Sequence, residues 1–181
     1  MTSPQTPIRT TAHGALLDVH GVGILLAGPS GIGKSECALE LVNRGHRLVA
    51  DDVIELRAGS EGRLLGQAPE RIRHYMEIRG LGIFFIPDLF GSEAVRDEMQ
   101  IDLLCRLEKW REGRPYERVG LERPTEELAG VALPRLTLPA RPGGSMATVV
   151  EVAAREHTQR RAGVNAVRRL DARLRGEMER S

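Results

Sequence analysis

The sequence predicts a mixed α/β domain. Short apolar strand runs outnumber helices through the middle of the chain, helical spacing gathers at its end, and one buried strand closes on a glycine loop that opens into a helix. A sheet less regular than an alternating β-α array, followed by a helical C-terminus, accounts for all three.

Met1 to Ala12, with Pro4 and Pro7, read as a flexible tail, so residues 13–181 are expected to form the single domain. No long apolar stretch marks this tail as a signal peptide or a membrane anchor, and a cytoplasmic location is expected. Leu16 to Val19 reads as a short strand, His20-Gly21 as a turn and Val22 to Ala27 as a buried strand. Ser35 to Arg44 has helical spacing through Ala38, Leu41 and Val42, and Gly45 is its stop. Leu48 to Leu56 is the next strand; Leu64 to Gln67 and Ile83 to Ile86 follow, with Arg79 to Gly82 as a loop. Ile101 to Leu107 reads as an inner strand and Leu133 to Leu138 as one bounded by proline. Met146 to Arg155 and Asn165 to Glu179 are helical. In the second, Val167, Leu170, Leu174 and Met178 form an apolar stripe among arginines.

Composition excludes several functions. A net charge of +1 gives no electrostatic case for nucleic acid or membrane, and 3% aromatic residues leave few platforms for stacking bases. Cys37 and Cys105 lack metal-ligand spacing and lie in apolar segments, as buried free thiols would. Of 26 basic residues only Lys34 and Lys109 are lysine. A chain that prefers arginine has placed a compact ammonium inside its glycine loop, where a planar fork would be too large. Lys109, in a charged stretch, reads as a surface residue.

That loop, Gly28-Pro29-Ser30-Gly31-Ile32-Gly33-Lys34-Ser35, matches G-x-x-x-x-G-K-[ST], the P-loop pattern. Gly31 and Gly33 permit the dihedrals that turn successive N–H groups toward phosphate oxygens. The helix that follows points its free N–H groups and positive dipole end at the same anion. Lys34 reaches the outer phosphates, and the Ser35 hydroxyl can ligate magnesium. The pattern therefore implies binding of nucleotide phosphates with Mg2+.

Phosphoryl transfer to an alcohol needs a carboxylate to accept the hydroxyl proton and usually another to hold the metal. Asp51-Asp52 supplies candidates, on a strand that one helix and one short return would lay beside the P-loop strand. Neighbouring strand residues face opposite ways, so one of the two should reach the site, and spacing does not say which. By position alone His13 gains no catalytic role, Glu77 reads as a surface carboxylate, and Arg118 and Arg141 are two arginines among many.

A resemblance goes further. His13-Gly14, Gly28 to Glu36, Arg44-Gly45-His46-Arg47-Leu48-Val49-Ala50-Asp51-Asp52 and Glu77 to Ile83 together resemble HPr kinase/phosphorylase. Leu89-Phe90-Gly91, Leu107-Glu108-Lys109-Trp110, Tyr116 to Leu121 and Pro139 to Gly143 agree, so the similarity runs from about His13 to Leu174. It implies a P-loop core related to phosphoenolpyruvate carboxykinase and, usually, a hexamer. It implies ATP-dependent phosphorylation of a serine on the phosphocarrier protein HPr. It also implies a reversal in which inorganic phosphate releases pyrophosphate from phosphoserine.

By the same resemblance Asp52 takes the serine proton, His13 tunes it, and Lys34 stabilises the transferred phosphate. Ser35 and Glu77 hold magnesium, Arg118 positions phosphate or substrate, and the loop from Pro139 to Gly144 serves the reverse reaction. Asp51 takes a supporting or metal-side role. Long members of the family carry an extra N-terminal domain, and this chain resembles a short form with the catalytic domain only, so regulation through that domain is expected to be absent. Where the family reads Pro-Gly-Arg-Asn, this chain has Pro142-Gly143-Gly144-Ser145. One cation fewer supports the kinase direction more strongly than the reverse. The competing readings are a P-loop kinase for another protein or small molecule, and an ATP-binding regulator without transfer, which would have no need of a base such as Asp52.

Overall fold

The computed structural model describes residues 9–116 and 120–178. Its first contact is set by the His20-Gly21 turn. Both residues have positive φ, 54° and 81°, the signature of the two-residue turn whose twist suits paired strands. β1 (Arg9–Val19) thus folds back on β2 (Val22–Ala27) as an antiparallel hairpin. The P-loop leads into α1 (Lys34–Asn43), and β3 (Arg47–Ala58) and β4 (Leu64–Gln67) follow. β5 (Tyr75–Ile78) and β6 (Gly82–Phe85) form a separate hairpin ahead of the short α2 (Ile86–Phe90). Then come β7 (Glu98–Gln100), β8 (Leu103–Lys109), β9 (Thr125–Leu128), β10 (Val131–Ala140), α3 (Met146–Arg161) and α4 (Ala166–Met178).

Eight strands make one mixed sheet in the order β7-β4-β3-β1-β2-β8-β10-β9. β2, β8 and β10 are parallel neighbours, while the other pairings are antiparallel. Period-two alternation sorts the central strands into two cores. Leu17, Ile24, Leu26, Leu103 and Cys105 join Ala38, Leu41 and Val42 of α1 and Ala147, Val150 and Ala154 of α3 on one face. Leu16, Leu25 and Leu104 face the other way, with Leu64 and Met99 from one end of the sheet and Leu133 from near the other. Among the described residues this second core contains no helical side chain; the sheet curls to close it. Each leucine or isoleucine buried this completely contributes roughly 1.5–3 kcal/mol.

Several expectations are corrected. β3 does not lie beside the P-loop strand: β1 stands between them, because a hairpin forms locally before a crossover can close. β1 begins at Arg9, so Arg9 to Ala12 pair with β3 where a tail to Ala12 was expected. The apolar run at Ile83 ends one residue sooner, since Ile86 opens α2 with Pro87 in its first turn. Two further features bear on the site. Leu16 pairs with Ala50 and Leu17 with Leu48, leaving Val49 as an extra bulge residue. Gly14 pairs with Asp52, and a Cβ on Gly14 would stand 2.2 Å from the Leu26 carbonyl oxygen. Only glycine lets β1 lie this close to β2 just where the P-loop begins.

Candidate active site

The loop leaves β2 at Gly28, whose φ of 148° and contact with the end of β8 exclude a side chain: a Cβ would lie 2.5 Å from the Leu107 carbonyl oxygen. Gly31 (φ 77°) and Gly33 (φ 102°) take the left-handed dihedrals that the pattern anticipated. Gly33 caps α1 without a side-chain hydrogen bond, so the N–H groups of the first turn stay free for an anion. Lys34 Nζ donates to the carbonyls of Gly28 at 2.8 Å and Pro29 at 2.9 Å. Its ammonium is thereby held across the loop it would serve.

Around the loop lies a cleft of about 540 Å³, lined by His13, Gly14, Gly28, Ser30, Gly31, Gly33, Lys34, Ser35, Glu36, Asp51, Asp52, Glu77 and Arg79. Both aspartates reach it. Strand alternation would have turned one away, but Asp52 has φ 70°, a left-handed dihedral inside β3 opposite Gly14. Aspartate tolerates this region better than most residues, and such strain concentrates at functional positions. The two carboxylates have different surroundings. Asp51 is buried and accepts the Ser35 hydroxyl on both oxygens, at 3.0 and 3.1 Å. Burial pushes its carboxyl up to about 6, the Ser35 hydrogen bond opposes the rise, and the Asp52 charge adds to it. The Asp52 side chain is 82% exposed, with His13 Nδ1 4.0 Å from its carboxylate. A contact so long and so open to water is weak and leaves Asp52 free to meet a partner.

Glu77 enters from β5, one strand of the separate hairpin, and Arg79 follows two residues later, its Nη1 atom above Gly31. Ile32 and Pro29 do not line the cleft; the Pro29 carbonyl helps to hold Lys34. Arg118 lies outside the described residues. Arg141 places its guanidinium over the Trp110 ring, 3.9 Å from the centroid, and is not part of the cleft wall.

A family model described as the HPr Serine kinase C-terminal domain matches residues 5–174. The chain belongs to that family. The HPr kinase/phosphorylase of Caldanaerobacter subterraneus subsp. tengcongensis is 53% identical over 164 residues, covering 91% of this chain and 54% of that protein. The HPr kinase/phosphorylase of Geobacillus thermodenitrificans is 51% identical over 170 residues, 94% of this chain and 55% of that one. The chain spans about half the length of these curated relatives. The solved Hpr(Ser) kinase/phosphatase from Coxiella burnetii superposes with a TM-score of 0.78 at 35% identity, covering 85% of this chain and 93% of that chain.

In this HPr serine kinase C-terminal domain, sequence reading named neither Glu36 nor Arg79 as a site residue. Strand spacing did not point to Arg79, which lies in the turn after β5, at the start of the loop expected from Arg79 to Gly82. At the departure from the family's late loop, Ser145 caps α3, its Oγ accepting from the Thr148 N–H at 3.2 Å. Serine thus keeps the capping role open to asparagine, while Gly144 lacks a charge. No helix among the described residues is long and apolar enough to cross a membrane.

Proposed function

We propose that the chain transfers the terminal phosphoryl group of ATP to a serine of HPr or an HPr-like phosphocarrier. The same cleft would run the reversal, in which inorganic phosphate attacks phosphoserine and releases pyrophosphate. The observation that carries this reading is the left-handed dihedral at Asp52, which holds an exposed carboxylate at the edge of a P-loop cleft.

In the forward direction Asp52 accepts the serine proton as the serine oxygen bonds to phosphorus, and the bond to the ADP oxygen breaks with its electron pair. His13, beside Asp52, tunes that carboxylate. Lys34 leaves the Gly28 and Pro29 carbonyls for the phosphate oxygens, and the loop amides hold the remaining charge. Ser35, Asp51 and Glu77 offer only oxygen donors, the set that suits Mg2+, and Mg2+ bound there would neutralise the phosphate oxygens. Asp51, already bonded to Ser35, orients that hydroxyl toward the metal position. Arg118 and the loop from Pro139 to Gly144 would act on phosphate in the reversal, and Gly144 makes that half the slower.

The apolar stripe of α4, with Leu170 57% and Leu174 51% exposed, supports a homo-oligomer, and the resemblance favours a hexamer. Incubation with ATP, Mg2+ and HPr tests the substrate. Mass spectrometry should find one added phosphate on an HPr serine, and pyrophosphate should form when phosphoserine-HPr meets inorganic phosphate. ATP binding without any transfer to HPr would rule out this acceptor.

A further inference from the structure

Outside the cleft, three side chains that can ligate metal converge from three separate elements. His20 sits in the β1–β2 turn, His46 follows Gly45 in the turn between α1 and β3, and Glu151 lies in the second turn of α3. One ligand atom from each lies within 4.8 Å of the other two. We propose that His20, His46 and Glu151 form a binding site for a borderline transition-metal dication of the Zn2+ type.

The geometry is close to what such an ion requires. Four ligands at 2.0–2.1 Å in a tetrahedron stand roughly 3.3 Å from one another. His46 Nε2 and Glu151 Oε1 are 2.7 Å apart, so this pair need only open slightly. The His20 ring stands edge-on to the His46 ring, 4.6 Å between centroids, and its exposed turn allows it to swing inward. Two imidazoles and one carboxylate make the donor set of known zinc sites, with the fourth position left for water.

The surroundings support ligation. Arg44 Nη1 donates to Glu151 Oε2 at 2.7 Å and to Thr148 Oγ1 at 3.0 Å, fixing the outer carboxylate oxygen so that Oε1 faces the histidines. His46 is buried, and an open hollow bounded by Asp18, His20, Arg44, His46 and Arg47 gives an ion a way in. Arg155 opposes a dication here, as do Arg44 and Arg47 on the wall of the hollow, while Glu151 and Asp18 favour one, Glu151 being paired with Arg44 and Asp18 with Arg47 and Arg96. The His46–Glu151 pair alone would be a simple tie between a turn and α3. A second imidazole beside it makes a metal site, one that would pin the β1–β2 turn, the α1–β3 turn and α3 together.

The test compares the full chain with His20→Asn. Asparagine suits the left-handed turn position and leaves His46 and Glu151 untouched. Zn2+ is titrated calorimetrically with excess Mg2+ present to mask the cleft carboxylates, and thermal unfolding is followed at each Zn2+ concentration. The wild-type chain should bind one Zn2+ per chain and unfold at a higher temperature as Zn2+ rises. His20→Asn should bind it more than about a hundredfold more weakly, beyond the roughly 10–100-fold that loss of an outer partner such as Arg44 would cost. Glu151→Gln should lose the site as well. Equal affinity in the wild type and His20→Asn, or no saturable binding with Mg2+ present, would overturn the assignment.

Discussion

Replacing Asp51 by asparagine should stabilise the metal-free protein while removing part of its phosphotransfer. The Asp51 carboxyl rises from 3.8 to about 6 on folding, chiefly through burial. A carboxyl that binds its proton more tightly when folded favours the native state at low pH. That advantage is lost as pH climbs from about 4 to about 6, after which the buried charge is simply carried. A rise of about two pH units corresponds to about 3 kcal/mol, an upper bound for what the ionised group costs above pH 7. Asparagine keeps the shape and can still accept the Ser35 hydroxyl, without the charge. Urea unfolding in EDTA should show the two proteins about equal near pH 4. At pH 7.5 the variant midpoint should stand higher by roughly 0.5–1.5 M, given a slope near 2 kcal/mol per molar urea. The same substitution should weaken Mg2+-dependent transfer, a familiar opposition between stability and function at a charged site. A variant no more stable than wild type at pH 7.5, or an equal gain at both pH values, would refute the reasoning.

Two other perturbations test the frame that holds the site. Gly14→Ala should lower stability by roughly 1–3 kcal/mol and the melting temperature by roughly 3–10 °C, since its Cβ would meet the Leu26 carbonyl at 2.2 Å. Gly176→Ala, in open space on α4, is the control and should be neutral or slightly stabilising; equal melting temperatures for both would dismiss the close approach. Cys37 and Cys105, each pushed up to about 12 by burial, should resist a thiol reagent at pH 8 until urea unfolds the chain. Rapid labelling of the native protein would contradict their place in the helix-covered core.

The sequence made the P-loop legible because its chemistry fixes both residue types and spacing: Gly33 must turn left-handed, and Lys34 must be compact. Val22 to Ala27 was equally clear, since a strand buried on both faces reads as a short apolar run. Strand order was not legible. That β1 separates β3 from β2 is a matter of long-range pairing, which no local period encodes. β9 escaped notice because Glu126 and Glu127 do not look like strand residues; Glu126 is held by Arg135 of the adjacent β10 and by Arg106 of β8, the strand beyond it. The site was half legible for a similar reason. Alternation in β3 admitted one aspartate, and the positive φ at Asp52 arises only where the strand meets Gly14.

The central claim is that the Asp52 carboxylate takes the proton of the incoming hydroxyl while the loop holds the nucleotide without its help. Calorimetric ATP affinity and the rate of phosphoserine formation on HPr, measured on the same preparation of Asp52→Asn, separate the two parts. Affinity should change by less than a few-fold, and the transfer rate should fall by about 10²–10⁴-fold, the range for loss of a general base. Transfer at the wild-type rate by Asp52→Asn would contradict the claim.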